Sequence, residues 1–285
     1  MTRKSLFYFA LVGLLWGIPY LLMKVAVEDF PPAAVVAGRT LIGASILIPI
    51  AIYRKKFGGA VLGFKYVAFY ALMEMIGPWI LITTAEQKIN SGLAGLLVST
   101  VPIFATIITS LRGDHSVWQF KRLFGIVVGF IGLILVVGIE SLSGNSDPLS
   151  IAMVIVASMG YAYAVIMVTS NLPLVDGIAI NGLAMAITTV FWAPVAIAQW
   201  PSSISMDSAL SLIALGIFST ALAFILFFKV MAEIGPARSS LVTYLNTAIA
   251  VVLGVIILRE PLTVRIVVGL PLVLVGSYLA SKKTA

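Results

Sequence analysis

The chain has 285 residues, of which 61% are hydrophobic and only 10% charged, with a formal net charge of +7 and a mean hydropathy of +1.12. Soluble domains carry about 25% charged residues, and no soluble fold of this length buries so much apolar surface, so the solvent is lipid. The absence of Cys excludes a disulfide framework, a thiolate metal site and a Cys nucleophile, and the single His115 excludes a multi-His metal site.

The basic residues lie in short clusters between apolar runs. That is the pattern of membrane topology and not of a nucleic-acid-binding face. The chain opens on "MTRKSLFYFALVGLLW", a basic start leading into an apolar run. No small-x-small cleavage site follows, so this reads as a first membrane helix and not as a signal peptide. A spanning helix needs about 20 mostly apolar residues, and ten stretches qualify: roughly 5–27, 33–53, 65–85, 91–111, 120–139, 149–169, 176–199, 208–231, 237–258 and 264–281. These runs are too long and continuously apolar for β-barrel strands, which alternate over about 10 residues. The links are short: "VEDFPP", "AEQKINSG", "LREPLT". The expected organisation is a five-helix unit over 1–140, a linker over 141–148 and a second five-helix unit over 149–285.

With the N-terminus in the cytoplasm, thirteen Lys and Arg fall on the inner side and three on the outer, leaving Lys24 and Arg39 inside apolar runs. The positive-inside rule therefore places both termini in the cytoplasm of an inner-membrane protein.

In the first segment Trp16 and Tyr20 are one helical turn apart and share a face. They sit near mid-span, below the depth of aromatic belts, and suit a flat or cationic solute through stacking or cation–π attraction of about 0.5–2 kcal/mol. Gly17 and Pro19 loosen this helix and are read as hinge or gating residues. Lys24, close to the outer end, is expected to snorkel to water. In the second segment Arg39 is assigned to the scaffold. In the third, Glu74 is the acid deep in a span; it either contacts a substrate cation, carries a proton or makes a structural hydrogen bond. Trp79 joins it in the candidate lining. The fourth segment has a polar, bendable stretch of Ser99, Thr100 and Pro102. In the sixth, Tyr161 and Tyr163 point about 200° apart, so one of them faces the centre; Tyr161 is chosen, with Met167 nearby. In the ninth, Ser240, Thr243, Tyr244 and Asn246 form a second polar stretch. Interhelical packing and hydrogen bonding are the competing account of each. Gly125, Gly129 and Gly132, with Gly269 and Gly276, are read as close-packing positions of segments five and ten. His115 is read as a solvated loop residue, and Trp118, Trp192 and Trp200 as interface anchors.

The two halves align at an offset of about 145 residues. Trp16 falls on Tyr161, Pro49 on Pro194, "INSGLAGLLVSTVPIFA" on "IGPARSSLVTYLNTAIA", and "GIVVGFIG" on "GLPLVLVG". Five spans is an odd number, so the second half inserts upside down. The expected fold is an all-α integral membrane protein with ten transmembrane helices in two inverted five-helix repeats, the architecture of secondary transporters. One His, no Cys and one deep acid leave little for catalysis, so no enzyme is expected. No phosphate loop or dinucleotide motif occurs, and no cofactor, metal or nucleic acid is expected.

Several stretches resemble the drug/metabolite transporter superfamily, in particular its ten-helix EamA-type exporters. They are Arg39 within "AGRTLIGA", "AGLLVSTVPIF", and "YLNTAIAVVLGVIILREPLTVRIVVGLPLVLVG", whose turn is Arg259-Glu260-Pro261. Glu260 is taken as structural on this likeness. Two departures stand out: the proline usual in the ninth helix is absent near Thr247, and the turn "LRGDHS" has Asp114 but no Glu. The aromatic, Met-rich interior is most similar to bacterial amino-acid exporters. The resemblance implies export of small amphipathic solutes, amino acids including aromatic ones, by alternating access, with the solute and the lipid bilayer as partners and a monomeric carrier. A facilitative carrier or channel for organic cations or nucleotide sugars is the alternative.

Overall fold

Lipid offers the backbone no hydrogen-bond partner, so a chain this apolar closes its amides within helices. The computed structural model describes residues 3–113, 119–142, 147–234, 239 and 241–281 and, outside 136–142, 265, 280 and 281, their side chains. All regular structure among these residues is helical. In chain order the helices are α1 (Arg3–Ala26), α2 (Pro32–Tyr53), α3 (Phe57–Leu62), α4 (Phe64–Ala71), α5 (Gly77–Ala85), α6 (Ser91–Val98), α7 (Val101–Leu111), α8 (Phe120–Leu142), α9 (Pro148–Asn171), α10 (Gly177–Ala198), α11 (Met206–Ala214), α12 (Ala223–Ile234), α13 (Val242–Ile256) and α14 (Val264–Ser281). Seven stretches among the described residues are long and apolar enough to span a membrane: Arg3–Ala26, Pro32–Tyr53, Phe64–Ala85, Ser91–Leu111, Pro148–Asn171, Gly177–Ala198 and Met206–Ile234. Val242–Ile256 and Ile266–Leu279 are shorter apolar helices, and α8 is a 23-residue helix.

Proline acts differently from span to span. Pro19, Pro49, Pro194 and Pro271 lie inside unbroken helices. The fourth span does break, at Ser99 and Thr100, just before Pro102. The spans Phe64–Ala85 and Met206–Ile234 instead loosen into π-helix, over Leu72–Ile76 ahead of Pro78 and over Leu215–Leu222. A π turn takes in an extra residue and leaves its neighbours' amides poorly matched.

The helices meet as α2 with α10, α8 with α14, α1 with α13, α5 with α9 and α6 with α13. Small residues set the closest approaches. A Cβ on Gly276 would lie 2.3 Å from Gly129 N and 2.7 Å from the Gly125 carbonyl, so α8 and α14 touch backbone to backbone. Gly269 is also buried in α14. Gly17 is a close-packing position: its Cβ would stand 2.5 Å from Ile249 Cγ2, and that of Gly13 2.4 Å from Leu245 Cδ2. Gly17 and Pro19, expected as a hinge, lie in one continuous helix whose Gly13 and Gly17 pack against α13.

One end of the bundle, where α1 finishes, is tied by polar contacts between loops. Glu260, after α13, accepts hydrogen bonds from Ser91 N (2.7 Å) and Gly92 N (3.1 Å) and so caps α6. A carboxylate there satisfies two orphan amides and favours the positive end of the helix dipole. Asp29 accepts from Ser205 N (2.9 Å) and Ser205 Oγ (2.5 Å). Lys88 pairs with Asp147 at 3.6 Å. Lys24 corrects its sequence reading: Nζ donates to the backbone carbonyls of Glu86 (2.6 Å) and Ile89 (2.9 Å), closing the end of α5 instead of reaching for water. At the opposite end of α1, Lys4 and Lys229 both approach the Tyr8 ring, at 5.8 and 5.9 Å. Ser5 Oγ donates to Glu233 there at 2.5 Å.

The α8–α14 crossing has no room for a side chain. Gly276→Val is expected to lower the thermal unfolding midpoint in detergent, consistent with an overpacking cost of roughly 1–3 kcal/mol. Gly58→Ala, where nothing lies within 4 Å of the added Cβ, should melt like the parent.

Candidate functional site

Arg39 lies near the middle of α2 and is only 6% exposed. Its guanidinium sits over the Trp79 ring, 3.8 Å from the centroid. Nε and Nη2 donate to Thr220 Oγ1 at 3.3 and 3.1 Å, and Nη1 approaches Met23 Sδ at 3.7 Å. Among the described residues no carboxylate lies within 4.0 Å of it. A desolvated cation–π contact is worth about 2 kcal/mol, whereas a buried charge at this depth costs several kcal/mol unless paired. The guanidinium is thus oriented but not neutralised.

The two π-helical stretches bring further polar groups to mid-span. Glu74 lies in the first, and its Oε2 is buried with no donor. Ser219 lies in the second, and its Oγ is likewise buried without a partner. At the offset of about 145 residues Glu74 falls on Ser219. Thr220, which holds Arg39, is the next residue. These are two local widenings of helix at matching places, each carrying an unsatisfied polar side chain, and π-bulges recur at functional sites.

Tyr161 on α9 connects these groups. Its hydroxyl is within hydrogen-bonding reach of Trp79 and within electrostatic reach of Glu74, Tyr20 and Arg39. Around it, Tyr70 Oη donates to Asn181 Oδ1 at 3.1 Å and Trp192 Nε1 donates to Ile76 O at 3.1 Å. Trp192 is therefore a half-buried partner of the π turn and not an interface anchor. Met167 packs in the same apolar cluster as Tyr70, Trp79 and Met185.

The remaining candidates have packing or hydrogen-bond partners of their own. Trp16 is one turn from Tyr20, but its ring packs against Phe227 (4.7 Å) and Phe224 (5.5 Å) of α12. Tyr20 belongs to the central core that includes Met23 and Leu96. Ser99 and Thr100 turn their hydroxyls onto the carbonyls of Leu96 and Leu97, both at 2.6 Å. The Ser99 carbonyl accepts from Ser277 Oγ at 2.8 Å, so this break faces α14. Pro102 is half-buried at the start of α7. Tyr244 stacks edge-on against Tyr278 of α14 at 6.3 Å. Thr243 gives its carbonyl, and Asn246 its side-chain oxygen, to the Thr247 hydroxyl at 2.9 and 3.3 Å. That hydroxyl also reaches Gly95 O at 3.3 Å. Ser240, Asp114, His115 and Trp118 lie outside the described residues.

The profile of the EamA-like transporter family matches residues 3–138 and again 148–282. The chain belongs to this family. Its EamA-like relatives include YoaV of Bacillus subtilis, 27% identical over 94% of this chain and 93% of the relative. Another is a transporter of Archaeoglobus fulgidus, 26% identical over 98% and 99%. A third is the inner membrane transporter YedA of Escherichia coli K12, 25% identical over 95% and 90%. All three are described as uncharacterized transporters, so they assign a membrane transporter without naming a solute. A solved crystal structure matches 99% of this chain with 98% of its own, at a TM-score of 0.65 and 15% identity, a likeness of fold.

In this EamA-like transporter the sequence reading put Arg39 in the scaffold and passed over Ser219 and Thr220. A lone arginine in an apolar run with no acid at helical spacing was the available signal for Arg39. Ser219 and Thr220 gave none, because a π turn has no single-sequence signature and serine and threonine are common in spans.

The clamp on Gly17 yields a checkable consequence. Gly17→Val is expected to impair folding and lower the melting midpoint, by the same overpacking logic. A hinge residue would instead change transport rate while melting normally, and thermal shift in detergent separates the two.

Proposed function

We propose that this EamA-like transporter exports amino acids with aromatic or other bulky apolar side chains by alternating access. The observation that carries the reading is the oriented guanidinium of Arg39 without a carboxylate partner, with Tyr161 in electrostatic reach of both it and Glu74. A zwitterion supplies what each lacks. Its carboxylate accepts from Arg39 in the bidentate manner that guanidinium favours. Its ammonium donates to Glu74. Its side chain lies against Trp79, Tyr161 and Tyr20, whose rings offer apolar faces and polar tips. A purely cationic solute would face Arg39 unfavourably.

Support for alternating access comes from pairing. Segments at matching places in the two halves pack together: α2 with α10, α6 with α13 and α8 with α14. This is the arrangement expected of inverted repeats exchanging conformations about a midplane site. Charge distribution supports cytoplasmic termini, which makes the end holding Lys24, Glu260 and Asp29 the outer one, drawn together in this conformation.

The test is binding and counterflow in liposomes with matched analogues. Arg39→Lys should weaken binding of free amino acids at least tenfold, about 1.4 kcal/mol, and leave amino-acid amides little changed. Glu74→Gln should weaken free amines and spare N-acetyl derivatives. Equal losses for all analogues, or preference for a nucleotide sugar or quaternary amine, would overturn the assignment.

A further inference from the structure

A second group of unsatisfied polar atoms lies away from the central site, at the outer end. Glu86 follows α5 directly and is fully buried. Both of its carboxyl oxygens lack any hydrogen-bond partner. Ser91, also fully buried, has an unpartnered Oγ. Across from them is Glu260, whose oxygens take the Ser91 and Gly92 amides. Gly254 clears the space: a Cβ there would lie 2.3 Å from Glu260 Oε2 and 2.8 Å from Ser91 Oγ. The titratable and charged groups facing Glu86 among the described residues are Lys24 and Tyr20 on α1 and Glu260 after α13. Lys88, from its own loop, pairs with Asp147.

The charges do not balance. A fully buried carboxylate, Glu86, and a half-buried one, Glu260, face one half-buried ammonium, and that ammonium is spent on backbone carbonyls of Glu86 and Ile89. A carboxylate with no donor in a dry space is among the costliest groups a protein can bury. A proton on Glu86 removes that cost without needing further ligands.

We propose that Glu86 is a proton-binding site of the outer gate: the closed end holds one proton on this carboxyl and gives it up to external water when the end opens. Burial pushes the Glu86 carboxyl up, against the pull of Lys24 and with a further rise from Glu260. The sign follows from linkage. A carboxyl whose affinity for protons is raised in the closed state favours closure below its ordinary pKa, and this preference is lost as pH rises through the raised value. External acid therefore holds the gate shut and external alkali frees it. On ionisation Lys24 can turn from the carbonyls to the carboxylate, which uncaps the end of α5. Tyr20 lies within electrostatic reach of both Glu86 and Arg39, so the gate adjoins the solute site.

The natural absence of Cys makes the test direct. Ile89→Cys, only 1% exposed in the closed end, is labelled with a membrane-impermeant maleimide from outside between about pH 5 and 8, where a titrating gate changes its equilibrium by up to tenfold per unit. Rates are divided by those of Glu28→Cys on the exposed loop, which removes the thiol's own titration. The normalised rate should rise by up to about tenfold per pH unit in the parent and stay low and flat in Glu86→Gln. Should Glu86→Gln not fold, Lys24→Met, which removes the pull on the proton, should move the rise to higher pH. The proposal rests on the alternating-access reading only in requiring that this end opens. Labelling that occurs but ignores pH, that follows Na⁺ at fixed pH, or that keeps its pH slope in Glu86→Gln overturns the proton site alone. No labelling at any pH, with or without amino acid, overturns alternating access and the gate together.

Discussion

A polar group in the hydrocarbon layer has to find its partner inside the protein, and this constraint orders the whole molecule. It makes every described regular element a helix. It folds the hydroxyls of span residues back onto their own turn: Thr40 onto Val36 O, Thr106 onto Pro102 O, Ser158 onto Val154 O, Thr188 onto Ala184 O. It explains Lys24, whose ammonium closes a helix end, and Glu260, whose carboxylate opens another. Against that background the exceptions are informative. Among the described residues, the buried side-chain atoms left without partners belong to Glu74, Ser219, Glu86 and Ser91, and they fall in two places.

The first place is the centre, where Ser219 adjoins Thr220, the partner of Arg39, and Glu74 shares Tyr161 with that arginine. The second is the end where α1 finishes, where Glu86 and Ser91 lie by Glu260. α1 runs past both. Its Tyr20 looks toward each, and its Gly13 and Gly17 fit it closely to Leu245 and Ile249 of α13. α13 ends in the Glu260 turn that caps α6, so the α1–α13 pair is joined to that cap.

Legibility followed the range of the forces involved. Apolar runs and their length are local, and seven of the ten expected spans are long, apolar helices in the structure. Charge bias is a sum over short loops, and it gives an expected orientation. Glycines at a crossing, such as Gly129 and Gly276, stand out because a helix in lipid has little other reason to carry them. Contacts between distant segments were less readable. Trp16 and Tyr20 share a helix face, yet Phe224 and Phe227 claim the one and the central core the other. Ser99 and Thr100 look like pocket polarity, but their hydroxyls are taken by carbonyls one turn back.

The sequence alone determined the apolar character, the helical class, seven of its ten expected spans and the likeness to a transporter family, since each depends on composition or on neighbours in the chain. Tertiary structure decided which charges are satisfied. Arg39 looks like scaffold until Thr220, 181 positions away, holds it over Trp79 without an acid. Lys24 looks like a snorkeller until the carbonyl of Glu86, 62 positions away, takes its ammonium. Whether a buried charge is neutral or poised depends on partners that the chain brings together only when it packs, and no spacing along it records them.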